Sequence, residues 1–314
     1  LSRDERIAAF LAGAGFGTAT THPLAQDASF RRYLRLAGGP RPAIVMDAAP
    51  DELPPFVRVA RHLCALGLSV PEIIAADEAA GLLLLEDFGD ALFHALPPAD
   101  VETAFDAATD ALRIMRAEKP PSGLPEWGAA EMRAAALATF FDWWWPAAFG
   151  TPAPDEARAE FGAALTETLA PLDGEEPVFT HRDYFSGNLI LLRDRAGPRR
   201  AGIIDFQSAA TGPAAYDVAS LTQDSRRTVA ARIAARCVER SKIDPALVAI
   251  CAAQRHMRVA GLWTRLAERD GKPQYLAYAP HTWRMLESAL THPANRALAS
   301  AFDRWIPAEA RPAR

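Results

Sequence analysis

The feature that most constrains this chain is a change of hydrophobic period at Asp87-Phe88-Gly89. Before it, short segments alternate apolar and polar residues, the period of half-buried strands. In 29–36, Phe30, Arg32, Leu34 and Leu36 fall on one face and Arg31, Tyr33 and Arg35 on the other. The turn Gly38-Gly39-Pro40 and a second strand at 43–46 complete a hairpin. Further strands are expected at 70–75 and 82–85. Helices are expected behind Ser2-Arg3-Asp4-Glu5, a capping box, and over 52–66. After the change, helical patterns fill 99–118, 128–145 and 154–170, then 214–305. Two short apolar strands, 188–192 and 202–206, interrupt them, and 306–314 reads as a loose tail. The expectation is an α+β, bilobal chain: a small antiparallel-sheet lobe over 1–88 and a larger, mainly helical lobe over 89–314.

Composition narrows the function. The 314 residues carry 34 Lys/Arg against 39 Asp/Glu, net −5, with no basic run, so nucleic acid is not an expected partner. No apolar stretch approaches the roughly 18 residues of a membrane helix, and no signal-peptide pattern is visible, so the expected compartment is the cytoplasm. Cys64, Cys237 and Cys251 are isolated, without a CxxC, so neither a disulfide framework nor a zinc site is expected. Charge is uneven: 201–314 holds 16 basic and 10 acidic residues, while 1–200 holds 18 and 29.

The chemistry-bearing stretch is Thr180-His181-Arg182-Asp183-Tyr184-Phe185-Ser186-Gly187-Asn188, followed seventeen residues after Asn188 by Asp205 in Ile203-Ile204-Asp205-Phe206. Phosphoryl transfer needs a carboxylate at the acceptor hydroxyl and oxygen ligands for Mg²⁺ on the nucleotide phosphates. Asp183 fits the first role; Asn188 and Asp205 fit the second. His181 and Asp217 read as loop-bracing groups rather than catalysts.

These residues resemble the catalytic and metal loops of the aminoglycoside phosphotransferase family, relatives of protein kinases. The similarity runs in order from about 22 to 290. Within that family, GIIDFQSA at 202–209, GPAAYD at 212–217, LTQDSRR at 221–227 and DASFRRY at 27–33 resemble the anomeric kinases of N-acetylmuramate and N-acetylglucosamine. The resemblance implies a protein-kinase-like fold, ATP and Mg²⁺ as cofactors, an amino sugar as acceptor, and a role in cell-wall sugar recycling. It implies that Ser29 lies in the nucleotide loop and that Leu85, Glu86 and Phe88 form a hinge against adenine; Glu86 and Asp87 are equally suited to capping the next helix.

Two departures stand out. The third strand, Ile44-Val45-Met46-Asp47, lacks the phosphate-binding Lys, and the next helix has only Glu52, at its very start, so Lys and Glu read as missing together. Arg31 or Arg32 is expected to replace the Lys, because guanidinium suits bidentate phosphate contact. Acceptor-pocket candidates are Gln207, Asp224, Arg226, Arg227, Arg255 and Arg258. In the run Phe140-Phe141-Asp142-Trp143-Trp144-Trp145 the rings suit core packing, with Trp144 the candidate for stacking on a sugar. The alternative acceptors are an aminoglycoside, choline or another amine alcohol, which the basic balance of 201–314 opposes. A different class is a catalytically dead nucleotide-binding relative. The sequence is silent on oligomeric state.

Overall fold

The computed structural model describes residues 2–24 and 31–312. The capping-box helix α1 (Arg3–Gly13) precedes β1 (Thr20–Pro23), β2 (Arg32–Ala37), β3 (Ala43–Asp47), helix α2 (Leu53–Ala65), β4 (Ile73–Asp77) and β5 (Leu82–Glu86). The five strands form one antiparallel sheet in the order β1-β2-β3-β5-β4. Its two faces are distinct. Leu34, Leu36, Val45, Leu82 and Leu84 pack with Ile7, Leu11 and Phe16 beneath α1. Met46, Leu83, Leu85 and Tyr33 join the main core with α2 and the second lobe. The residues in register at 33 and 46, Tyr33 and Met46, therefore look toward the interlobe cleft.

The second lobe contains α3 (Pro98–Ala117), α4 (Ala129–Thr139), α5 (Trp145–Phe149) and α6 (Asp155–Leu169). Then come β6 (Val178–Thr180), β7 (Leu189–Leu191), β8 (Ala201–Ile203) and β9 (Ala210–Gly212). The lobe closes with α7 (Ala214–Thr222), α8 (Ala231–Ser241), α9 (Pro245–Glu268), α10 (Ala279–Leu290) and α11 (Arg296–Trp305). The short strands pair as β6–β9 and β7–β8 and flank the loops that carry Asp183, Asn188 and Asp205.

Three local departures from expectation have physical causes. The helix expected over 128–145 is broken by a π-helical turn at Phe140–Trp144. Gly261 of α9 packs so closely there that a Cβ would lie 2.1 Å from the Thr139 carbonyl oxygen. The expected loose tail is docked up to residue 312: Ile306 is fully buried, and Arg311 donates to the carbonyls of Phe302 and Ile306. The charge asymmetry is partly consumed within the fold. Arg232, Arg236 and Arg240, spaced by one helical turn on α8, pair with Glu102, Asp106 and Asp110 on α3.

Candidate active site

The loop after β6 is built from the backbone outward. Arg182 sits in the left-handed region at φ 74°, a conformation that costs a non-glycine residue about a kcal/mol or more. Three contacts hold it. Asp217, in the first turn of α7, accepts the N–H groups of His181 (2.6 Å) and Arg182 (2.9 Å). The Arg182 guanidinium lies 3.9 Å from the centroid of the Trp127 ring. His181 is fully buried, which lowers its pKa and keeps it neutral. Its Nε2–H donates to the Ile204 carbonyl (3.1 Å), leaving Nδ1 to accept the Asp183 N–H (3.3 Å). His181 and Asp217 are thus braces, as expected, and they set the position of Asp183.

Burial pushes the Asp183 carboxyl up, but the charges of Arg258 and Arg255, with Arg182, outweigh it and hold the group below its usual range. Asp183 is therefore a charged, weak base. Asn188 donates Nδ2 to the Asp183 carbonyl (2.9 Å) and to Asp205 Oδ2 (3.3 Å), so the three residues singled out by spacing do converge. Asp205 leaves β8 at φ 61°.

A cation at Asp205 and Asn188 fits this donor set. With its nitrogen committed inward, Asn188 has its amide oxygen to offer. Among the described residues no group of three His, Cys, Asp or Glu side chains could hold a metal by itself. One carboxylate and one amide suit Mg²⁺, which takes its remaining oxygens from phosphates and water.

Arg31 Nε lies 2.6 Å from Glu52 Oε2. Tyr33, beside them on the cleft side, has its hydroxyl pKa raised by burial, and feels Arg31, Asp205 and Glu52 in turn. An acid and a cation thus meet on the cleft side: Glu52, just before the first residue of α2, and Arg31, the residue preceding β2. Arg32 projects to the other face, where it meets Asp4 and Asp47 beside α1. Ser29, the remaining nucleotide-loop candidate, lies outside the described residues.

The segment expected to form the hinge is pinned by charge. Glu86 pairs with Arg195 (2.5 Å), and Arg35 with Asp87 (2.6 Å) and Asp90 (2.8 Å). Phe88 packs on Gly202, where a Cβ would come within 2.8 Å of its ring, and beneath the Arg195 guanidinium. Leu85 is buried in the core face of β5. Asp87 accepts the Gly89 N–H, a tight turn rather than a helix cap.

The acceptor candidates divide. Arg258 acts on Asp183, reaches the Tyr216 hydroxyl (3.4 Å) and lies 5.9 Å from the centroid of the Trp127 ring. Gln207 instead donates to Asp205 Oδ1 (2.7 Å) and braces the metal-ligand candidate. Asp224 is buried with both oxygens engaged, by Ser186 Oγ and the Arg226 N–H, so it ties the catalytic loop to the segment after α7. Arg227 is exposed at the rim. Trp144 is buried, stacked on Phe140 (4.5 Å) and against Trp283 (4.8 Å); it is core. Trp143, half-buried, is the more exposed ring of the run. The sequence reading missed Trp127, Tyr33 and Tyr216. Only Tyr33 had a local signal, its shared strand face with Arg31.

Comparison with known proteins agrees with this geometry. Residues 20–250 match the phosphotransferase enzyme family. The chain is 35% identical to an N-acetylmuramate/N-acetylglucosamine kinase of Caulobacter vibrioides, over 98% of both chains. It is also 35% identical to a protein of that name from Pseudomonas aeruginosa, over 85% of this chain and 83% of the relative. Among solved structures, a choline kinase from Streptococcus pneumoniae superposes with a TM-score of 0.64 at 17% identity, covering 95% of this chain and all of that one. No helix among the described residues is long and apolar enough to cross a membrane. The family match over 20–250 and the similarity across the chain lead to one conclusion: the chain belongs to the phosphotransferase enzyme family.

Proposed function

We propose that this protein transfers the γ-phosphoryl group of ATP to the anomeric hydroxyl of N-acetylmuramate and N-acetylglucosamine, in the cytoplasmic re-use of cell-wall amino sugars. Asp183 orients the hydroxyl and takes its proton as the oxygen attacks phosphorus in line; the bond to the bridging oxygen breaks and ADP leaves. The anomeric hydroxyl is more acidic than the other ring hydroxyls, so a carboxylate as weakly basic as Asp183 suffices. Asp205 and Asn188 would hold Mg²⁺, which neutralises phosphate charge when bound. Gln207 keeps Asp205 in place. Arg31, steadied by Glu52, meets the phosphates from the sheet side, and the chain at Glu86–Phe88 lies along the adenine.

The observation that carries the acceptor choice is the charge around Asp183. Arg182, Arg255 and Arg258 surround it, and each has a buried Nε without a hydrogen-bond partner. A cationic acceptor such as choline or an aminoglycoside needs an acidic pocket. The similarity to choline kinases at under 20% identity supports the fold and not their acceptor. Magnesium-dependent ADP release across both sugars, choline and kanamycin-type amines tests the proposal. Turnover with the sugars is expected; turnover with the amines alone, or with none of these acceptors, overturns it.

A further inference from the structure

A buried guanidinium without an anionic partner is costly, and two that face one carboxylate are costlier. Arg255 and Arg258 stand three residues apart on α9 and so share one side of it. Arg255 is only 4% exposed. Its Nη1 donates to Ser225 Oγ (2.7 Å), which is 3.2 Å from His256 Nδ1; His256 Nε2 in turn is 3.3 Å from Gln223 Oε1. Burial pushes His256 well below its usual pKa, so this chain of contacts is neutral. It fixes the Arg255 guanidinium without cancelling its charge. Among the described residues neither Arg255 nor Arg258 makes an ion pair, whereas Arg232, Arg236 and Arg240 of the same distal half are all paired.

We infer that Arg255, with Arg258 beside it, forms a carboxylate subsite in the acceptor pocket and that Arg255 reads the lactyl group that N-acetylmuramate carries and N-acetylglucosamine lacks. This rests on the sugar-kinase reading above. Position favours the acceptor's carboxylate over the phosphoryl group in transit. The α9 helix packs on α4, α7 and α10, all in the helical lobe, while Arg31 approaches from the sheet. The lactyl ether sits on C3, with C2 between it and the anomeric carbon, so its partner lies beside the catalytic loop without pairing with Asp183. Arg255 meets that condition: its partner Ser225 adjoins Asp224, which binds Ser186 of the loop that carries Asp183, and among the described residues Arg255 itself forms no ion pair with Asp183. The site thereby accepts both sugars while favouring the acidic one.

The test compares kcat/KM for N-acetylmuramate, its lactyl methyl ester and N-acetylglucosamine, in the wild type, Arg255→Lys and Arg255→Met. Esterification removes the charge and keeps the shape. The wild type is expected to prefer the acid over the ester by about tenfold to a hundredfold, the range of a charge-assisted bond. Arg255→Met should collapse that preference and the ratio of the two natural sugars together, with Arg255→Lys in between. If Arg255→Met lowers acid, ester and N-acetylglucosamine by one common factor, the arginine serves the phosphate or the fold and the inference fails. Should that variant not fold, the wild-type ratio of acid to ester decides alone: a ratio near one overturns the inference. Failure of the sugar-kinase reading is distinguishable, because the wild type would then phosphorylate none of the three.

Discussion

Replacing Arg31 by Met tests its proposed role as phosphate clamp. Its side chain is 11% exposed and that of Glu52 33%, so the pair is only partly screened by solvent. Two consequences follow from removing the cation. The nucleotide loses a charge-assisted contact, about 1.5–3 kcal/mol. Glu52 is also left without its partner beside the phosphates, and repulsion adds to the loss. ATP affinity should therefore fall at least about tenfold to a hundredfold. Adenosine, which has no phosphate, should bind as before. Glu52→Gln in the same chain should recover part of the loss by removing the stranded charge, a coupling that a double-mutant cycle reads directly. Arg32→Met, on the opposite face with Asp4 and Asp47, serves as the control and should leave ATP affinity unchanged. Titration calorimetry with ATP and adenosine on the wild type, the three single variants and the double variant measures all of this. Equal weakening of both ligands by Arg31→Met, or a larger ATP effect from Arg32→Met, would refute the reasoning.

Other predictions follow from the catalytic loop and the core. Asp183→Asn should bind nucleotide nearly normally and lose at least about 10² in kcat, which steady-state assays with a binding control would show. Burial raises the Asp217 carboxyl from the usual 3.8 to about 6, against the opposing pull of the two N–H bonds it accepts. Because that folded-state value is raised, this group's contribution to stability is greatest below about 4 and is lost as pH climbs through about 6. Activity should move the other way, since protonation weakens the acceptor that holds the His181 and Arg182 amides. The kcat profile should therefore have an acidic limb near 6, and the limb should be absent from Asp217→Asn. Trp144→Ala should cost about 3–5 kcal/mol in urea unfolding and leave the KM for sugar unchanged, as befits a core ring.

The parts legible in the sequence are those fixed by spacing and period. Asp183, Asn188 and Asp205 were found because a five-residue loop and a short apolar strand force them together. Alternation in 29–36 separated Arg31 from Arg32, but which face looks into the cleft depends on where α1 docks, and no periodicity within the strand encodes that. Trp144 was misjudged for a related reason. Three consecutive rings on a helix cover most of its circumference, and here a π turn seated on Gly261 sets which of them points inward. Gln207 and Asp224 lie where acceptor groups were expected, yet their nearest polar neighbours are Asp205 and Ser186, contacts across 2 and 38 residues that composition cannot rank. The three-residue strands β6 and β9 are too short to show a period at all.

The central claim concerns which oxygen receives the phosphoryl group, and phosphorus NMR of the product formed from N-acetylmuramate measures it directly. The account predicts a single ester resonance coupled to the anomeric proton, with ADP formed in equal amount. A resonance coupled to the two C6 protons, or ADP released without a sugar phosphate, would contradict it.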